Sequence, residues 1–350
     1  MSSTFDRLCS DQLIKTYPSH MKNNVHYECI MGSVAYGVSN DTSDIDVYGF
    51  SMPPKHILFP YQHGYIVGFG KKPDGFDQFQ KHHIKDKSRQ KEYDITIYNI
   101  VRFFNLCMEN NPNMVDSLFV PTSCVLHSTQ IGEHVRNNRK LFLSKRVYHK
   151  FKGYAFSQLH KMKNKFIKEF VEHCKKYDIP FNAQLQDILL PIKHDNENVS
   201  RMITVVNKIE TNGKRSTRIP LIAEHGYDTK FAYHVVRLLD ECQMILEEGD
   251  LDLTRSKAHL KAIRKGEVSI EQIEDYFDAK MPILEELYNK SKLPYSVDEE
   301  KIKQLLIDCI EMHYENISNF IGNNNINEIT RIISSGIVQI EKGISLLYKQ

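Results

Sequence analysis

The stretch that most constrains this chain is "SDIDVYGF" at residues 43–50. Short, β-branched and aromatic, and bounded by turn-forming residues, it reads as a strand. Side chains alternate along a strand, so Asp44, Asp46 and Tyr48 share one face and Ile45, Val47 and Gly49 the other. The apolar face is the buried one, which leaves both carboxylates in a single site. Like charges held that close repel, and one carboxyl is protonated or the strand is destabilised unless a cation lies between them. Mg²⁺ answers this need, because it takes one or two carboxylates and completes its shell with water and substrate phosphate. A solvated edge strand, or an Asx turn at "NDTSD" with Asp46 incidental, is the competing reading.

Just upstream stands "MGSVAYG" at residues 31–37, after the apolar run "VHYECIM". It is expected to turn from strand into a short helix at about Ser33. Gly32 would let a phosphate approach the backbone, and the helix-start amides with the Ser33 hydroxyl would donate to it. A plain turn with Ser33 as helix cap is the alternative. Gly-Ser, ten residues, then Asp-x-Asp combines a triphosphate cradle with a metal pair at a set distance. A two-metal centre needs one further carboxylate, where the attacking hydroxyl is activated. "KEYDITIYN" offers Asp94 in the middle of a β-branched strand, a position unfavourable for aspartate by propensity. Asp94 is chosen over Glu92 on the same face; a surface pair at a strand end is the alternative.

Four strands are expected in the first third, at residues 25–31, 43–50, 64–70 and 92–98, and helices from about residue 145 onward. The three long helical stripes are "KGYAFSQLHKMKNKFIKEFVEHCKKYD", "DTKFAYHVVRLLDECQMILEEGD" and "DEEKIKQLLIDCIEMHYENISNFI". A helix opening at "NIVRFF" is expected to stop at the Asn-Asn-Pro of 110–112. Residues 71–91 read as a long polar loop carrying His82 and His83 as surface residues, and residues 207–220 as a basic hairpin or loop. The fold class is therefore α+β, with a catalytic domain at 1–144 and a mainly helical nucleotide- and acceptor-binding domain at 145–350.

At 41% hydrophobic and 26% charged residues the composition is that of a globular protein. No apolar run approaches the roughly 18 residues of a membrane span, and the N-terminus lacks a secretory pattern, so a cytoplasmic protein is expected. Seven cysteines without a C-x-x-C pair argue against both a disulfide framework and a structural zinc site. The net charge of +2 is unevenly spread: residues 136–176 carry thirteen Lys or Arg against two Glu, whereas residues 267–315 are mostly acidic. The basic run at 161–176, preceded by Tyr154 and Phe156, suits an RNA backbone or equally a solvated helix face.

These residues together resemble the DNA polymerase β-like nucleotidyltransferase superfamily, with its Gly-Ser, Asp-x-Asp and later third acid. More narrowly the chain resembles the predicted nucleotidyltransferases of bacteria and phages that include an RNA-ligase-associated branch. The narrower likeness rests on "GSVAYGVSNDTSDIDVYGF", "EYDITIYNIVRFFNLCMENNPNMVDSLF" and "GYDTKFAYHVVRLLDECQMILEEG". The resemblance implies a mixed-sheet catalytic domain in a bacterial cytoplasm or phage-infected host. It implies that Asp44 and Asp46 ligate two Mg²⁺ ions, with Mn²⁺ able to replace them, and that Asp94 completes the hydroxyl-activating one. Gly32 and Ser33 would hold the β- and γ-phosphates. In the downstream block Lys230, His234 and Arg237 fall at i, i+4 and i+7, one helical stripe suited to a triphosphate, or else simply solvated. The expected reaction moves a nucleoside monophosphate from a triphosphate to an acceptor hydroxyl, an RNA 3′ end first of all. A protein or small-molecule hydroxyl, or a non-catalytic nucleotide- or RNA-binding module, are the rival readings.

Overall fold

The computed structural model describes residues 2–39, 44–63, 65–66, 75–163, 165–210 and 219–314. Its centre is a five-stranded mixed sheet of β1 (Val25–Met31), β2 (Ile45–Ser51), β3 (Gln78–Asp86), β4 (Lys91–Asn99) and β5 (Val125–Ser128), in the order β3-β4-β2-β1-β5. Only β2 and β4 run parallel; the other neighbours are antiparallel. Of the strands expected from sequence, those at 25–31, 43–50 and 92–98 correspond to β1, β2 and β4. The one expected at 64–70 lies outside the described residues, apart from Tyr65 and Ile66, which are not in a strand.

The expected loop at 71–91 is instead largely β3 and its hairpin to β4. Asp86 makes the turn: its Oδ1 accepts from the Ser88 hydroxyl at 2.5 Å and from the Arg89 amide at 3.2 Å, an Asx turn without glycine. As the edge strand, β3 is largely exposed on both faces, and a bulge between Lys81 and Ile84 breaks its period of two. Neither a clean alternation nor the glycine-containing pair that most strongly announces a hairpin is therefore present in the sequence.

The helices of the first half are α1 (Thr4–Ser10), α2 (Gly32–Ala35), α3 (Lys55–Leu58), α4 (Ile100–Met108), α5 (Pro112–Phe119) and α6 (Gln130–Asn137). Asn99 caps α4 by accepting from the Val101 amide, and Pro112 at the start of α5 forces the expected break. The second half holds α7 (Arg146–Met162), α8 (Lys165–Lys176), α9 (Leu185–Leu189), α10 (Asn196–Glu210), α11 (Ile219–His225), α12 (Thr229–Glu248), α13 (Lys257–Arg264), α14 (Ile270–Lys290) and α15 (Glu299–Tyr314). The first long stripe, expected to be one helix, is split into α7 and α8. Among the described residues no helix is long and apolar enough to cross a membrane.

Two hydrophobic clusters sandwich the sheet. Val47, Tyr93, Ile95 and Ile97 pack with Phe5 and Leu8 of α1 on one face. On the other, Tyr27 and Phe50 join Phe103 of α4, Phe151 of α7, Val235 and Leu239 of α12 and Cys309 of α15 in one continuous cluster. α12 is buried over most of its circumference, polar Arg237 and Glu241 included, and each fully buried Leu or Val contributes about 1.5–3 kcal/mol. A third cluster, around Phe170, Val206 and Ile222, holds α8, α10 and α11 together. All seven cysteines are free thiols, six of them buried.

Candidate active site

The parallel pairing of β2 with β4 runs in register, with Asp46 opposite Asp94, Tyr48 opposite Thr96 and Phe50 opposite Tyr98. The period of two then puts both carboxylates on the sheet face that carries the large helical cluster. Asp44 stands just before the first residue of β2 and is exposed. Asp46 is deeper, and its carboxyl is pushed above the usual aspartate range. Burial is the chief cause; Asp94 and Asp44 add like charge, while Lys230 and His82 pull the other way.

Gly32 abuts this pair. Its φ is +67°, and a Cβ built on it would lie 2.3 Å from Oδ2 of Asp46. The position requires glycine twice, for the left-handed backbone and for the space the carboxylate fills. Ser33 is the second residue of α2, and Met31 occupies the cap position without a side-chain bond, so Ser33 is not the helix cap. The turn is tied down by the Val38 amide donating to the Ser33 carbonyl at 2.8 Å.

Asp94 is gripped from the side of β3. The His83 amide donates to its Oδ1 at 2.7 Å, and Nδ1 of His82 lies 3.0 Å from its Oδ2. These contacts exist because of the bulge: His83 has φ +56°, which swings its amide inward. Its ring then meets Glu92 at 2.7 Å, and that bond raises the imidazole pKa. Both histidines are surface residues, as expected, yet they adjoin the third acid. No sequence signal pointed there, because the pairing depends on a bulge in a strand that reads as a loop.

The second half of the chain reaches the site through α12. Asp228 caps it, accepting from the amides of Lys230 at 2.9 Å and Phe231 at 3.2 Å. Lys230 is exposed and within electrostatic reach of Asp46. His234, half-buried, packs on the Tyr233 ring with centroids 4.1 Å apart.

Arg237 corrects the expected stripe. It is 4% exposed and bonded through Nη1 to Asp116 at 2.5 Å, Glu241 at 2.9 Å and the Tyr36 hydroxyl at 3.0 Å. Burial pushes both carboxyls upward while Arg237 draws them back. The Tyr36 hydroxyl also donates to Asp116 at 2.8 Å, so Arg237 anchors the glycine turn from behind through a buried ion cluster. An i+7 spacing could not reveal this, because α12 is enclosed on that side by residues far away in sequence.

Asp46 and Asp94 suit a hard divalent cation by donor chemistry: oxygen ligands, adjacent, and mutually repelling without one. Among the described residues no three His, Cys, Asp or Glu side chains form a ready-made metal cage. Magnesium does not need one, since water and substrate phosphate fill most of its shell.

A family profile described as the RNA repair pathway DNA polymerase beta family (RlaP) matches residues 9–308 of the chain. The chain belongs to this family, and the polymerase β-like likeness read from its three blocks holds over that span. Among curated proteins and solved structures nothing matches the chain.

Proposed function

We propose that this member of the RNA repair pathway DNA polymerase beta family transfers a nucleoside monophosphate from a triphosphate to the 3′ hydroxyl of an RNA, releasing pyrophosphate. The observation that carries the reading is the in-register Asp46–Asp94 pair beside a glycine turn, approached by Lys230 from the other half of the chain. Asp44, Asp46 and Asp94 would hold two Mg²⁺ ions, which when bound supply charge stabilisation for the transferring phosphoryl group. Asp94 would orient the attacking hydroxyl and receive its proton, held in place by the His83 amide and His82. Gly32 and Ser33 would seat the phosphates through backbone and hydroxyl donors, and Lys230 would offset their charge as a point cation.

RNA as the acceptor is supported by the family description and by α8, whose Lys165, Lys168 and Lys176 are exposed. Tyr154 and Phe156 on α7, 43% and 52% exposed, add aromatic faces for bases. The start of the basic segment does not contribute: Arg136 donates to the Val120 carbonyl, and Arg139 to the Arg136 carbonyl.

The test incubates wild type and Asp44→Ala/Asp46→Ala with each labelled triphosphate, Mg²⁺ or Mn²⁺, and total RNA or lysate. Label is expected on RNA 3′ ends with wild type alone. Label on protein or a small molecule would reassign the acceptor. No label on anything, from a folded wild type that binds nucleotide, would make the protein a binding module.

A further inference from the structure

The second glycine of the opening turn serves neither the acid pair nor the phosphate seat described above. Gly37 has φ +67°, and a Cβ at this position would lie 2.8, 3.0 and 3.3 Å from Cδ, Cε and Cγ of Lys257. The Lys257 stem, from more than two hundred residues downstream, thus lies across the turn at a left-handed position that favours glycine, and a Cβ there would push the stem aside.

α13 presents this lysine from a fixed frame. At its start the Ser256 hydroxyl donates to Oδ2 of Asp240 on α12 at 2.6 Å. Oδ1 of the same Asp240 accepts from the Tyr276 hydroxyl at 2.5 Å and pairs with Lys280 of α14 at 2.9 Å. At its other end the Arg264 guanidinium lies over the Tyr233 ring, 5.0 Å from the centroid. Tyr233 follows Lys230 by one turn of α12, so α13 runs antiparallel beside α12, clamped at both ends. Its own Leu260 and Ile263 are buried. Lys257, Lys261 and Arg264 recur at i, i+4 and i+7 and so form one cationic stripe. This is the spacing expected of α12, where burial removes Arg237.

We propose that α13 is the polyphosphate-binding wall of the site: Lys257, Lys261 and Arg264 receive the outer phosphates of the bound triphosphate, and Gly37 is glycine so that Lys257 can cross the turn to reach them. The inference rests on the nucleotidyltransferase reading and names the residues that would hold the leaving group. A lysine point charge and an arginine fork along one helix match a diphosphate moiety of variable pose.

Inorganic pyrophosphate with Mg²⁺ is the probe, because it carries the contacts in question without any dependence on the base. Calorimetric titration of the full-length chain is expected to show Lys257→Ala and Arg264→Ala each weakening pyrophosphate binding about tenfold, the loss of one charge-assisted contact. Arg264→Lys should recover part of that loss. Lys265→Ala, one position beyond the stripe and paired with Glu267, should bind like wild type and serves as the charge-matched control. Lys257 is exposed, so its variant should keep the wild-type melting temperature. Unchanged pyrophosphate affinity in Lys257→Ala and Arg264→Ala, while Lys230→Ala still weakens nucleotide binding, would make α13 a solvated surface and leave the parent reading intact. A folded wild type that binds neither pyrophosphate nor any of the four triphosphates would overturn both.

Discussion

Two regions of this molecule gather carboxylates, and they handle the repulsion in opposite ways. Behind the glycine turn, Asp116 and Glu241 are buried around Arg237, with Tyr36 completing the set. At the end of the sheet, Asp46 and Asp94 face each other across parallel strands, with Lys230 and His82 acting against the upward shift of the Asp46 carboxyl. The first region carries its own cation and is structural. In the second the two carboxylates lie in register at the sheet's end and burial with like charge raises Asp46, the arrangement on which the proposed metal site rests. The contrast assigns opposite consequences to the loss of a charge in each place.

The largest effect is expected behind the turn. Arg237→Ala leaves two buried carboxylates without their cation and should lower stability by about 3–5 kcal/mol, read as a fall in the urea midpoint. If Arg237→Ala is as stable as wild type yet binds nucleotide poorly, the contrast breaks, and Arg237 belongs with the phosphate after all.

Glu28 on β1 offers an intermediate case: a fully buried carboxyl with no bonded cation among the described residues, accepting from the backbone amides of Thr4 and Phe5 and from the Thr4 side chain. Burial pushes its pKa up to about 7, against those amides. The folded state then binds more protons than the unfolded one between about pH 4.5 and pH 7, so stability falls as pH rises through that window and levels off above it. Because burial of His26, whose pKa falls to about 4, gives a slope of the opposite sign over much of this window, the Glu28 contribution is read as wild type minus Glu28→Gln, a difference expected to fall by about 3 kcal/mol as pH rises across it. An equal slope in the variant would mean that other groups set the pH response.

The smallest effect sharpens the comparison most. Asp46→Asn removes one of two facing like charges, and in metal-free buffer it should stabilise the protein by about 0.2–1 kcal/mol while abolishing transfer. A destabilised Asp46→Asn would show that the acid pair holds the sheet together and would weaken its assignment as a metal site.

Much of the site could be read in the sequence because its rules are local. The alternation in "SDIDVYGF" placed Asp46 opposite the buried Val47, and the same rule in "KEYDITIYN" separated Asp94 from Tyr93 and Ile95. Asp228 as the cap of α12 and proline as the break after α4 followed from backbone chemistry confined to a few residues. The β3 hairpin escaped because its turn uses an Asx bond in place of glycine and its strand is exposed on both faces. Gly32 was legible as glycine but not for its full reason, since the carboxylate that fills its Cβ position belongs to another strand.

By itself, then, the sequence determined the composition of the site: two acids one strand period apart, a third on a later strand, a glycine turn and a capped helix bearing Lys230. Tertiary structure alone decided their arrangement. It put β4 rather than another strand beside β2, in the register that pairs Asp46 with Asp94, took Arg237 out of the helical stripe into a buried ion cluster, and brought Lys257 across Gly37. The physical reason is that periodicity encodes which face a side chain takes, whereas burial and ion pairing depend on what packs against that face.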